Sequence, residues 1–334
     1  VKEIQKDLDD GIDTIGKKMT VCQLYAKQIR HRGNVRYNTK NGRKRLMKLL
    51  EEDKLGGCPI DSVKLSDAKE WAIRMKEKGI SYKTISNDKR SLKAAFYTAI
   101  QDDCIRKNPF DFQLNTVIED DTEPKVPLTP AQEESFLSFA QNDKVYQKYY
   151  DELIILLGTG LRISELCGLT DTDIDFENRI INVDHQLLRS AKTGYYIETP
   201  KTKSGIRQIP MSEKVYEAFN RVLKRRRGAK AVTIDGYSNF LFLNRDGYPK
   251  TATNYDGMFR GLAKKYNKYH EEALPKVMTP HTLRHTFCTN MANAGMNPKA
   301  LQYIMGHSNI TMTLNYYAHA TFDSAKAEML RIAA

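Results

Sequence analysis

The chain has 334 residues, enough for two domains at roughly 100 to 200 residues each. Its 53 Lys and Arg against 41 Asp and Glu give a net charge of +12, which points to a polyanionic partner, either nucleic acid or an acidic membrane surface. The longest apolar runs, such as Leu153 to Leu157, fall far short of the ~20 residues of a membrane span, no signal-peptide pattern opens the chain, and five scattered cysteines with no C-x-x-C pair indicate neither a disulfide framework nor a Cys-based zinc site.

A soluble, intracellular protein is therefore expected, with Cys22, Cys58, Cys104, Cys167 and Cys288 as core or surface thiols. The start at Val1 rather than Met suggests a processed product or an expressed fragment. Residues 1–17 are charged and weakly patterned, and are expected to be a lead-in. From Thr20 to Ile105 the pattern is helical. Ser66 is the predicted N-cap of a segment running through Lys78 to Gly79, and a helix from near Tyr82 is closed by Asn108-Pro109.

In that last helix Ile85, Leu92, Phe96, Ala99 and Ile100 recur at helical spacing and belong to a core. Lys83, Asn87 and Arg90 share another face. Arg36, Lys40, Arg43 and Lys44 lie in a second basic stretch, from Arg30 to Lys48. Most charge runs are solvated faces. Two of them in one small domain of a +12 chain suit contact with a phosphate backbone.

Residues 111–127 hold Glu119, Asp120, Asp121, Glu123, Pro124 and Pro127, and read as a linker between a helical domain over 18–110 and a second domain over 128–334. Thr129-Pro130-Ala131-Gln132 opens the second domain as a capping box with Pro at the first helical position. Three short strands are predicted there, at 179–188, 195–199 and 206–211, with turns at Lys192-Thr193-Gly194 and Lys203-Ser204-Gly205. The rest of the domain reads as helix. The fold class is mainly α with a small antiparallel β-sheet.

Four features could carry chemistry. At Thr159 to Leu166 two glycines break an apolar helix, and a new helix starts near Arg162, whose planar fork matches two phosphate oxygens. Taken alone, Arg162 reads more readily as an ion-pair partner of Glu165. Thr279-Pro280 opens a helix that places His281, Arg284 and His285 on one side, and this set suits a phosphate better than zinc because no third ligand is near. His285 by itself reads as structural.

Gly306 ends a helix begun by Asn297-Pro298, so His307 lies in a turn. A helix from about Ile310 is expected to carry Tyr316 and Tyr317, which ordinary packing would explain. A tyrosine nucleophile, with a pKa near ~10, needs neighbouring cations or a base. Lys203, expected at the tip of a hairpin formed by the last two strands, could reach into a site and deliver a proton, and Lys201 is its rival.

The ordered set Arg, Lys, H-x-x-R, G-H, Tyr resembles the tyrosine recombinase (phage integrase) family. The matching residues are the G-L-R-I-S-E-L box at Gly160 to Leu166, the K-x-G turn before Ile209-Pro210, H-x-L-R-H at His281 to His285, Met305 to His307, and Tyr316 nine residues after that histidine. The resemblance spans the chain and is nearest to integrases of phages or conjugative transposons. It implies a helical, SAM-like core-binding domain followed by a mixed α/β catalytic domain. The lead-in is similar to the connection that joins an arm-binding domain in many integrases, and the tail after Tyr316 to the segment packed on a neighbouring protomer.

The resemblance also implies roles. Arg162, Arg284 and His307 would hold the scissile phosphate, and Tyr316, rather than the adjacent Tyr317, would attack it. Lys203 would protonate the leaving oxygen and His281 would assist as acid or base. The intermediate would be a 3′-phosphotyrosine, formed without cofactor or metal. Double-stranded DNA, at element ends and crossover sites, would be the partner of a tetramer assembled on two paired sites in the cytoplasm, at the nucleoid, with room for an accessory excision factor. Two other readings share parts of the pattern. One is a type IB topoisomerase; the other is a non-catalytic DNA-binding protein, which Tyr316 buried away from Arg162 and Arg284 would support. A metal-dependent Tyr relaxase would want a His cluster that the spacing of His281, His285 and His307 does not give.

Overall fold

The computed structural model describes residues 16–33, 35–123, 126–200, 202–226, 232–317 and 329–330. Most of the lead-in, Pro124, Lys201 and nearly all of the tail after Tyr317 lie outside the described residues. The fold is mostly helical with small antiparallel sheets, and the chain divides into two units, Val1–Pro124 and Lys125–Ala334. No helix among the described residues is long and apolar enough to cross a membrane.

The first unit is built on α1 (Val21–His31), α2 (Tyr37–Glu51), α3 (Leu65–Glu77) and α4 (Tyr82–Gln101). Thr20 caps α1 in a reciprocal box with Gln23. The apolar stripe of α4 is buried at Ile85, Leu92, Phe96 and Ala99, while Ile100 sits at its margin. Trp71 of α3 meets Phe110 edge-on at 5.7 Å between ring centroids, closing the core under the helices. Arg45 of α2 grips Asp88 of α4 through two bonds of 2.5 and 2.7 Å, and Arg74 of α3 does the same to Asp53 at 2.7 and 2.9 Å.

Three local expectations are corrected here. Lys64, not Ser66, occupies the N-cap of α3, because Asp67 reaches back to the Lys64 backbone N–H at 2.8 Å and fixes the start two residues earlier. α4 stops at Gln101, well before Asn108-Pro109, where Asp103 adopts a left-handed φ of 53° and turns the chain. Asn108 then bonds back to the Lys93 carbonyl at 2.8 Å. Finally, the segment read as linker is not bare at its start, since Leu114 and Ile118 are buried in the first unit's core.

The second unit opens with α5 (Pro130–Asn142), capped by the Thr129 and Gln132 box. α6 (Tyr150–Thr159) is apolar on nearly every side, so it is buried, and it packs against α8 (Glu213–Arg226) and α10 (Pro280–Asn293). α7 (Ile163–Gly168), α9 (Ala252–Tyr269), α11 (Pro298–Met305) and the single turn α12 (Thr311–Leu314) complete the helices.

The strands are β1 (Ile174–Asp175), β2 (Ile180–Val183), β3 (Gln186–Ser190), β4 (Gly194–Glu198) and β5 (Arg207–Pro210). They form two sheets, β1-β2-β5 and β3-β4, both antiparallel. The single strand expected over 179–188 is thus two, parted at Asp184-His185, where His185 turns inward to bond the Gly168 carbonyl at 2.7 Å. Residues 232–250, read as helix, form isolated bridges instead, two of them around Gly236 and Gly247, both at positive φ, and one from Phe240 to Thr170. Tyr316 and Tyr317 follow α12 in a turn rather than riding on a longer helix.

Candidate active site

Two glycines set the frame. α6 ends at Gly160 with φ +62°, and a Cβ there would come within 2.4 Å of the Phe287 ring, so only glycine lets this turn pack on α10. α11 ends likewise at Gly306, with φ +61°, against the turn that carries Lys203: a Cβ would meet the Ser204 carbonyl at 3.0 Å. The carbonyls left over at these helix ends face guanidinium groups. Arg284 donates from Nη1 to the Gly160 carbonyl at 2.5 Å and from Nη2 to the Met305 carbonyl, and Arg162 donates from Nη2 to the Gly306 carbonyl at 3.0 Å.

Glu165 stands among these cations, 3% exposed. It accepts from the Arg162 backbone N–H at 2.9 Å, from Arg162 Nη1 at 2.7 Å, and from Arg207 at 2.8 and 3.1 Å. Burial opposes its charge, but the Arg207 hydrogen bonds and the charges of Arg207, Arg162 and Arg284 prevail and hold the carboxyl at about 2. The expected Arg162–Glu165 pair exists, yet it is one edge of a larger cluster.

Arg207 is the residue that sequence reasoning missed. Its buried side chain donates to Glu165, to the Ile304 carbonyl at 2.5 Å and to the Gly205 carbonyl at 3.1 Å. It therefore ties the start of α7, the Lys203–Gly205 turn and the end of α11 to one another. The only hint was its place in the alternating buried and exposed pattern of β5.

The same crowding tunes the other groups. Burial, then the charge of Arg162, lowers the Arg284 guanidinium to about 9, which leaves it charged at neutral pH. Burial, then the charges of Arg284, Arg162 and Arg207, push His307 down to about 4, so it is neutral there. His307 Nδ1 lies 2.9 Å from the Thr313 hydroxyl. Tyr316 is half-buried against His285, ring centroids 4.8 Å apart; burial and Cys288 raise its phenol while Arg284 lowers it. Tyr316 is thus not hidden from the arginines. Tyr317 differs, because its hydroxyl is committed to the Met296 carbonyl at 2.5 Å.

Arg162, Arg284, His307 and Tyr316 are brought together. Lys203 and His281 stand exposed at the edge, Lys203 in a 3-10 turn and His281 one helical turn before Arg284. The Lys203 turn is not a hairpin tip, since β4 and β5 belong to different sheets. In the first unit Lys40, Lys44, Lys83, Asn87 and Arg90 are exposed and Arg36 and Arg43 half-exposed. Asp173, Asp184 and His185 form the one metal-capable group among the described residues, but both His185 ring nitrogens already face oxygen, Gly168 O at 2.7 Å and Asp184 at 2.5 Å, which marks the group as structural.

Residues 127–324 match the phage integrase family. Over 332 residues, 99% of this chain and 82% of the relative, the sequence is 68% identical to the transposase from transposon Tn916 of Enterococcus faecalis. Among solved structures, the Tn1549 transposon integrase in complex with transposon right end DNA is 78% identical, with a TM-score of 0.89 over 95% of this chain and all of that one. The same integrase in complex with a circular intermediate DNA matches at 78% identity and a TM-score of 0.89, over 94% of this chain and 99% of that one.

Proposed function

The chain belongs to the phage integrase family, the tyrosine recombinases, and on that premise we propose that Tyr316 attacks a DNA phosphodiester held by Arg162, Arg284 and His307. The protein is a site-specific recombinase of the conjugative-transposon kind, one that integrates and excises a mobile element. The two guanidiniums and the His307 N–H meet the non-bridging oxygens and offset the charge that builds at phosphorus. Arg284 also favours ionisation of the Tyr316 phenol. The phenolate oxygen bonds to phosphorus while the bond from phosphorus to the 5′ oxygen breaks.

Lys203 gives its proton to that oxygen, and His281 assists the proton transfers, leaving a 3′-phosphotyrosine and a free 5′-hydroxyl. One phosphodiester is exchanged for another, so the step needs no external energy source. The observation that carries the reading is the single buried cluster, Glu165 and Arg207 at its centre, that fixes Arg162 and Arg284 beside His307 and Tyr316. The first unit is the core-binding domain, its Arg36, Lys40, Arg43, Lys44, Lys83, Asn87 and Arg90 lying along the DNA backbone. Four copies assemble on two paired sites at the nucleoid, with an accessory factor for excision.

The test is a nicked duplex carrying the element's ends, incubated with the protein in EDTA and run on a denaturing gel. A covalent protein–DNA band is expected for the native chain and for Tyr317→Phe, and none for Tyr316→Phe. Bound DNA without a band in the native chain would leave only a DNA-binding role.

A further inference from the structure

We propose that Thr313 is a positioning residue that sets the tautomer of His307, holding Nδ1 as an acceptor so that Nε2–H is the face presented to the phosphate. The proposal rests on the reading of His307 as a phosphate donor. A neutral imidazole has one donor nitrogen and one acceptor, and the neighbour of one nitrogen decides the role of the other. Burial, and then the positive charge of Arg284 of α10, Arg162 ahead of α7 and Arg207 of β5, keeps the His307 ring neutral, so its tautomer decides whether it can donate.

The Thr313 hydroxyl lies 2.9 Å from Nδ1, on a residue with no solvent exposure. Among the described residues that hydroxyl has no other hydrogen-bond partner. Were Nδ1 to carry the proton, Thr313 would accept it and its own O–H would be buried without an acceptor, a state that native proteins avoid. With Thr313 as donor every proton has a place. Both ends of the contact are held by backbone: Thr313 N–H donates to the Ile310 carbonyl at 2.8 Å, and His307 N–H to the Gln302 carbonyl at 3.1 Å. Gln302 Nε2 donates in turn to the His307 carbonyl at 3.0 Å.

Histidine-selective 15N labelling of the full chain near neutral pH reads the tautomer from the ring nitrogen shifts, the His307 signals being those lost in His307→Gln. The Nε2–H form is expected in the native protein and in Thr313→Ser, and a shift toward the Nδ1–H form in Thr313→Val. Single-turnover cleavage of the nicked duplex at saturating protein is expected to slow about tenfold in Thr313→Val, a part of the ~10²–10³-fold that loss of a transition-state donor costs. DNA binding should be unchanged, Thr313→Ser should restore the rate, and Thr313→Val should add nothing in the His307→Gln background. An Nδ1–H tautomer in the native protein, or a full loss from Thr313→Val on top of His307→Gln, overturns the proposal. If His307→Gln alone cleaves at the native rate, the reading of His307 fails instead, and the tautomer measurement tells the two failures apart.

Discussion

In the second unit Arg207 and Arg284 are 3% and 6% exposed, and their guanidiniums are engaged by a carboxylate and by carbonyls at helix ends. In the first unit Lys40, Lys44, Lys83 and Arg90 project from helix surfaces, while the pairs Arg45–Asp88 and Arg74–Asp53, each with a buried carboxylate, tie its elements together. The same charge therefore serves two ends. Buried and fixed, it is costly to desolvate but already oriented where charge develops, so it acts on rate. Exposed, and laid along DNA as proposed, it would displace counterions and be screened by salt, and so act on affinity.

The sharpest way to break this contrast is Glu165→Gln, which keeps the shape and removes the charge that Arg207 needs. Leaving that guanidinium buried without its partner should cost about 3–5 kcal/mol in denaturant unfolding. Cleavage should fall by about 100-fold with DNA affinity by gel shift nearly unchanged. A parallel loss of affinity would mean that the buried cluster also governs binding.

A smaller effect is expected from acid. Folded His307 titrates at about 4 instead of 6.5, so between those values the folded protein binds fewer protons than the unfolded chain. The stability involved is whole above 6.5 and is lost as the pH falls toward 4. Glu165, held at about 2 rather than 4.5, adds stability that is present above 4.5 and lost on the way down to 2. Thermal midpoints should fall more between pH 6.5 and 4 in the native chain than in His307→Gln, and equal falls would show that His307 is not what the acid acts on. The smallest effect is expected from Lys40→Ala with Lys44→Ala. The slope of log affinity against log salt should shrink by about 2, and saturated cleavage should stay as it was. A slower saturated rate would erase the distinction between the two regions.

The helices and the cluster were legible to different depths. Caps at Thr129 and Thr279, and glycines at 160 and 306, are local signals that need no partner, and the elements they bound lie where the pattern put them. Arg162, Arg284, His307 and Tyr316 could be picked out because motif order keeps them recognisable across long separations. Arg207 could not. A lone arginine in a four-residue strand looks like an edge residue until Glu165, 42 residues away, is found beside it. Thr313 was hidden for a similar reason, as a hydroxyl whose meaning depends on a ring six residues back across a turn. The break at Asp184-His185 follows from a tertiary bond to Gly168, against a strand pattern that continued through it.

The helix-end sockets also bear on how the protein is made. Arg162 waits 144 residues for the Gly306 carbonyl that holds it, and Arg284 joins Gly160 across 124. During synthesis the first unit can fold while the sockets near residues 304–306 are still unmade, because domains generally fold as they emerge. On the proposed function, a nascent or prematurely terminated chain would carry the folded first unit without an assembled cutting centre, so scission is reserved for molecules whose translation has passed Tyr316.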